Sequence, residues 1–202
     1  VLSQKSNPEI LNGLSESDWD GFLETARQQG VYLLLYGYFK SLRSKVAVPD
    51  RVMNELHGGM LNSATRNMLM LYEASLILRK LKEKNLEVIA MKGLYLVENV
   101  YPDISKRSFS DLDLLVRRDR VAEVVACMRG LGYELETYYD FQDDNLDIKH
   151  APPMNKPGGP FVEIHWTILE ENEPFTIDAE GLWQRAVPAQ VAGVEVLALG
   201  VE

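Results

Sequence analysis

Ser110-Asp111-Leu112-Asp113-Leu114-Leu115-Val116 is the stretch from which the fold is read. Acidic and aliphatic residues alternate, and then the run becomes fully apolar. This is the pattern of a β-strand with one buried face. Residues two apart on a strand point to the same side. Asp111 and Asp113 therefore project together, while Leu112, Leu114 and Val116 face a core. Neighbouring carboxylates repel unless a cation lies between them, and a hard divalent ion such as Mg²⁺ accepts such oxygen ligands. A solvated strand face with two unrelated acids fits the same residues.

Two further segments extend this reading. Val162-Glu163-Ile164-His165-Trp166 belongs to a strand expected over Phe161–Ile168. Val162, Ile164 and Trp166 share one face, and Glu163 and His165 the other. Beside the Asp pair, Glu163 is a third carboxylate. Three acids can hold two metal ions, or Glu163 can serve as general base. The plain alternative is an amphipathic edge strand with a structural histidine. Met91-Lys92-Gly93 joins a short apolar strand, Val88 to Met91, to a helix from Gly93 to Tyr101. Gly93 permits close approach to the backbone, and the helix start favours an anion. Lys92 can place an ammonium near a phosphate. The GxxxxGK[ST] spacing of a Walker loop is absent.

The rest of the chain supplies the frame. Residues 1–85 read as helical, with Ser15 and Ser17 as cap candidates, a helix from Asp18 to Gln29 stopped by Gly30, and another over Val31–Leu42. Pro49 opens a long helix to about Lys84, with Gly58-Gly59 as a candidate interruption. Leu69, Tyr72, Leu76 and Leu78 are its apolar residues at helical spacing. From Leu86 onward strands and helices mix: a helix over Asp119–Leu131, a strand over Tyr133–Tyr138 and a turn over Asn155–Pro160. A short helix capped by Asp178 follows, then a hairpin turning at Ala192-Gly193. The expected class is α+β. Residues 1–85 form an N-terminal helical region, and residues 86–202 a mixed sheet core flanked by helices.

Composition narrows the function classes. Among 202 residues, Lys plus Arg is 21 and Asp plus Glu is 30, for a net charge of −9. Residues 1–139 hold 18 of each sign, so the whole excess falls in residues 140–202. A duplex nucleic-acid binder more often presents a basic face, so duplex nucleic acid is not expected as a partner. The single Cys127 excludes an intramolecular disulfide framework and a cysteine zinc site. The longest apolar run, Val31 to Phe39, is too short to span a bilayer, and no secretory signal is visible. The default expectation is a cytoplasmic protein with no membrane partner.

The combination of Lys92-Gly93, Tyr101-Pro102, Arg107, the acid pair at 111–116, His150 and the strand at 162–166 carries a resemblance. It is similar to the uncharacterised nucleotidyltransferases, within the superfamily related to DNA polymerase β, over about residues 20–202. The resemblance implies a metal-dependent transfer of NMP from an NTP to an acceptor hydroxyl, with release of pyrophosphate. The acceptor would be a small molecule, a protein or an RNA end. Asp111, Asp113 and Glu163 would be catalytic and would hold two Mg²⁺ ions, with Mn²⁺ as a substitute. Lys92, Gly93, Arg107 and Ser110 would contact the nucleotide, and His150 and His165 would line the rim. In the superfamily the turn begins with a small residue; here Lys92 takes that place, and 17 residues separate Gly93 from Asp111. Family members continue into further helices, so the resemblance also implies a C-terminal part beyond Glu202. Two other readings compete: a toxin-type nucleotidyltransferase of a defence system, and a non-catalytic binding module that keeps the fold.

Overall fold

A computed structural model of the chain describes residues 8–42, 44–136, 150–169, 173–175 and 177–200. Helices and one mixed seven-stranded sheet make up the α+β class expected. Three helices come first: α1 (Glu16–Gln28), α2 (Tyr32–Ser41) and α3 (Asp50–Glu83). Contacts divide the chain into two units. One runs to Arg66 and includes Ser105–Arg107. The other comprises Asn67–Ile104 and the residues from Ser108.

The first unit is held by an aromatic core. Ser15 starts α1 with a reciprocal cap. Its Oγ accepts from the Asp18 N–H at 3.3 Å, and its own N–H donates to the Asp18 carboxylate at 2.9 Å. Gly30 then takes a φ of 69°, which ends the helical path. Trp19, Leu23, Leu35, Phe39, Val52 and Leu56 are buried together, with Trp19 edge-on to Phe39 at 5.7 Å between ring centroids. α3 passes through Gly58-Gly59 without a break. Gly59 is needed for packing instead: a Cβ there would meet Cε1 of Tyr32 at 2.6 Å. The Tyr32 hydroxyl donates to the Glu55 carbonyl on the same helix at 3.1 Å.

The second unit is built on the sheet, whose order is β3-β4-β5-β2-β1-β7-β6. The strands are β1 (Ile89–Ala90), β2 (Asp111–Leu115), β3 (Glu134–Leu135), β4 (Met154–Asn155), β5 (Phe161–His165), β6 (Val187–Val191) and β7 (Val194–Ala198). β2 and β5 run parallel through five paired positions, among them Asp113 with Glu163 and Leu115 with His165. β1 pairs antiparallel with β2 on the other side. The strand expected over Tyr133–Tyr138 is described as Glu134–Leu135, and Thr137 and Tyr138 lie outside the described residues. β5 stops at His165, short of Ile168. The helix expected from Asp119 begins as a 3-10 turn, Arg118–Arg120, and continues as α5 (Val121–Gly130).

One face of the sheet is a dry core. Leu112, Leu114, Val162 and Ile164 are buried there with Leu94 and Val97 of α4 (Lys92–Asn99) and Val124 and Met128 of α5. The last turns of α3 pack against it through Met70, Ala74, Ile77, Leu78 and Leu81. Leu69, Tyr72 and Leu76 face outward instead, the first two more than 60 % exposed. α3 carries two apolar stripes, and a helical period cannot say which of them meets the sheet. On the opposite face Ile89, Met91 and Leu115 pack with Trp183 of α6 (Ala179–Gln184). Asp178 caps α6 by accepting from the Gly181 N–H at 2.9 Å.

α4 lies close to the segment leading into β2. A Cβ on Gly93 would stand 2.4 Å from the Cβ of Phe109. Neither atom can move without its backbone. Gly93→Ala should lower the unfolding free energy by about 1–3 kcal/mol, read from urea denaturation. An unchanged midpoint would mean that the Phe109 segment yields freely.

Candidate active site

The polar half of the β2–β5 pair holds the candidate site. Strand alternation puts Asp111, Asp113 and Leu115 on one face of β2, and parallel pairing lays Phe161, Glu163 and His165 beside them. Among the described residues, Asp113, Glu163 and His165 are the acid and imidazole groups that could together hold a metal ion. Their ligand atoms lie within 4.8 Å of one another. Asp113 and His165 are fully buried, and Glu163 is half-buried.

The contacts within this cluster are dense. His165 Nε2 lies 2.9 Å from Asp113 Oδ1 and 3.2 Å from Glu163 Oε2. A carboxylate only accepts, so Nε2 carries the proton and donates to Asp113. Lys92 Nζ reaches the same Oδ1 at 2.5 Å and stands 3.9 Å from Glu163 Oε2. The Met91 N–H donates to the Asp113 carbonyl at 3.1 Å, which ties the head of α4 to β2 at the level of the acid. Asp113 Oδ2 and His165 Nδ1 are buried with no hydrogen-bond partner among the described residues. A buried carboxylate oxygen without a donor is costly, and an acceptor-only oxygen of this kind suits a hard cation. Two carboxylates and one imidazole are a fitting donor set for a divalent metal.

The other expected site residues fall in several places. Asp111 shares the face of Asp113 but is outside the cluster, and its partner across the strands is Phe161. Its charge nonetheless acts on Lys92. The Ser110 hydroxyl lies 3.4 Å from the Asp111 carboxylate, to which it donates. Gly93 is buried against Phe109, so its missing side chain serves packing. Arg107 falls in the segment that groups with the helical unit. His150 forms an isolated bridge with His165, and the two rings meet edge-on at 5.0 Å. His150 Nδ1 lies 2.7 Å from the Ala151 carbonyl, which requires that nitrogen to carry a proton.

The sequence suggests His165 at the rim and Lys92 at the nucleotide; the structure sets His165 in the cluster with Asp113 and Glu163, and Lys92 Nζ against Asp113. A signal for each was present: His165 is two residues from Glu163 on one strand, and Lys92 closely follows the strand that neighbours the acid pair.

Charge decides the state of the cluster. Burial raises the pKa of Asp113, but the hydrogen bonds from His165 and Lys92, with their charges, lower it further and leave it below the ordinary carboxylate value. Burial likewise opposes the charge on Lys92, and the carboxylates of Asp113, Glu163 and Asp111 outweigh it, so Lys92 is held above the ordinary lysine value. A carboxylate with a lowered folded pKa contributes stability above its unfolded pKa. That contribution is lost as pH falls through the folded value. Asp113→Asn should therefore be less stable than the parent at neutral pH, and the gap should close below the ordinary value of 3.8. Denaturant unfolding at a series of pH values reads this. A variant more stable than the parent at neutral pH would mean that desolvation dominates.

Comparison with known proteins agrees with the geometry at the level of family. A family model described as uncharacterised nucleotidyltransferase matches residues 15–202. No curated protein and no solved structure matches the chain. With the match running from the start of α1 through the sheet and its acid cluster, the chain belongs to the family of uncharacterised nucleotidyltransferases.

Proposed function

We propose that this protein moves a nucleotidyl group from a nucleoside triphosphate to an acceptor hydroxyl, in the cytoplasm. The acceptor oxygen bonds to the α-phosphorus, the bond to the bridging oxygen breaks, and pyrophosphate leaves. The observation that carries the reading is the buried carboxylate of Asp113, beside Glu163 and His165, with Oδ2 lacking a donor among the described residues. Asp113, Glu163 and His165 would hold one divalent ion, Mg²⁺ by the hardness of the oxygen donors. Asp111, further along the same face, is the carboxylate assigned to a second ion. When bound, such ions neutralise charge on the phosphates and orient them for in-line attack.

The chain's own groups supply the rest. The parallel pairing of β2 with β5 sets Asp113 against Glu163, so the two carboxylates face one reacting centre. With no ion bound, His165 Nε2 donates to Asp113 and orients it; that nitrogen gives up its proton to serve as a ligand of the ion. Catalysis on this scheme is mainly positioning and charge neutralisation. Glu163, the more exposed of the two acids, is the group placed to take the proton of the acceptor hydroxyl. The half of the sheet behind the site is apolar and dry, which holds the carboxylates in place and keeps water from their backs.

The test is a screen of labelled nucleoside triphosphates against small-molecule, protein and RNA acceptors, read by mass spectrometry with and without a chelator. Transfer should need the divalent ion. Asp113→Asn and Glu163→Gln should each reduce it about 100-fold or more. Full transfer by Asp113→Asn would remove the basis of the mechanism.

A further inference from the structure

Lys92 stands out for its backbone as well as its charge. Its φ is +46°, a left-handed conformation that residues with a Cβ adopt at a cost. Glycine would enter that turn without strain. The chain keeps a lysine there, and the lysine side chain is directed at one point: Nζ lies 2.5 Å from Asp113 Oδ1 and 3.9 Å from Glu163 Oε2. These carboxylates belong to the same group whose ligand atoms gather within 4.8 Å. The ammonium thus lies among the oxygens that a metal ion would use.

From this juxtaposition we infer that Lys92 is a built-in counter-ion that guards the metal position and leaves it when a nucleotide arrives. The inference rests on the metal-binding reading above and adds a role for Lys92 that a phosphate contact alone does not contain. Its physical basis is competition. An ammonium on Oδ1 and a divalent ion on the same carboxylate of Asp113 oppose each other, because like charges within a few ångströms repel strongly at a buried group. Asp113 is 1 % exposed and cannot turn away, whereas the Lys92 side chain is 57 % exposed and can. The lysine stem is flexible, and its ammonium is a compact point charge. A triphosphate offers the displaced ammonium a new anionic partner. Free metal must eject Lys92 into water, and metal arriving with nucleotide does not. Metal and nucleotide binding are therefore coupled through this one side chain.

Calorimetric titration with Mn²⁺ tests this on the whole chain. Lys92→Gln removes the charge and keeps the length; Lys92→Gly also removes the backbone strain, so it stays folded if the first variant does not. Both should bind Mn²⁺ alone about tenfold more tightly than the parent. A non-hydrolysable ATP analogue should raise Mn²⁺ affinity of the parent by more than that of either variant. Equal or weaker Mn²⁺ binding by both variants overturns the inference, as does absence of Mn²⁺ binding by all three proteins. The two readings fail separately. Tighter Mn²⁺ binding by the variants with no acceptor labelled in the transfer screen sustains the counter-ion and removes the transferase. Transfer without a gain in Mn²⁺ affinity does the reverse.

Discussion

The parallel pairing of β2 with β5 is the constraint on which the second unit depends. Five residue pairs lie in register, and each strand alternates an apolar with a polar side. A slip of one residue would turn Asp113 and Glu163 into the apolar core and Leu112 and Ile164 onto the face that carries the acids. The buried leucine, valine and isoleucine side chains on the far face forbid that slip. The same packing that stabilises the sheet therefore sets two carboxylates side by side.

That placement creates an electrostatic problem, and the neighbouring segments answer it. A buried carboxylate is costly unless it is paired. Asp113 receives hydrogen bonds from His165 on the paired strand and from Lys92 at the head of α4. The head of α4 is brought within reach by two contacts. One is the hydrogen bond from Met91 to the Asp113 carbonyl, and the other is the close approach of Phe109 to Gly93. Lys92 takes a left-handed backbone at that junction, so local strain accompanies the charge pairing. Elsewhere in the unit the polar groups have a structural role. Lys156 pairs with Glu73 at 2.7 Å and lies over the ring of Tyr133, whose hydroxyl donates to Glu73. Burial and the charge of Glu73 push that phenol well above its usual pKa, so it remains a donor.

Much of the fold could be read from periodicity and turn chemistry. The start of α3 after Pro49, the cap of α6 at Asp178 and the hairpin at Ala192-Gly193 all follow from local signals. Local signals failed where two arrangements satisfy the same pattern. Leu69 and Tyr72 have the spacing of a core stripe yet face outward, while Met70, Ala74 and Ile77 pack on the sheet. Gly59 has the look of a helix break and is a seat for Tyr32. Strand β4 is two residues long and stands next to a strong turn signal, so nothing in its letters marks it.

By itself the sequence determined the alternation of β2 and β5, and with it which side chains share a face, because the strand period is a local property of the backbone. It also determined the family, through the acid pair and the later Glu163-Ile164-His165-Trp166 segment. Only the tertiary structure decided which of these groups meet. Asp113, Glu163 and His165 converge because β5 pairs with β2 across some fifty positions of sequence, and no local rule specifies that partner. Asp111 falls outside the cluster because the register sets it beside Phe161, whereas Asp113 is set beside Glu163. Lys92 meets the acids rather than open solvent because β1 is the antiparallel neighbour of β2, which sets its ammonium beside the buried carboxylate.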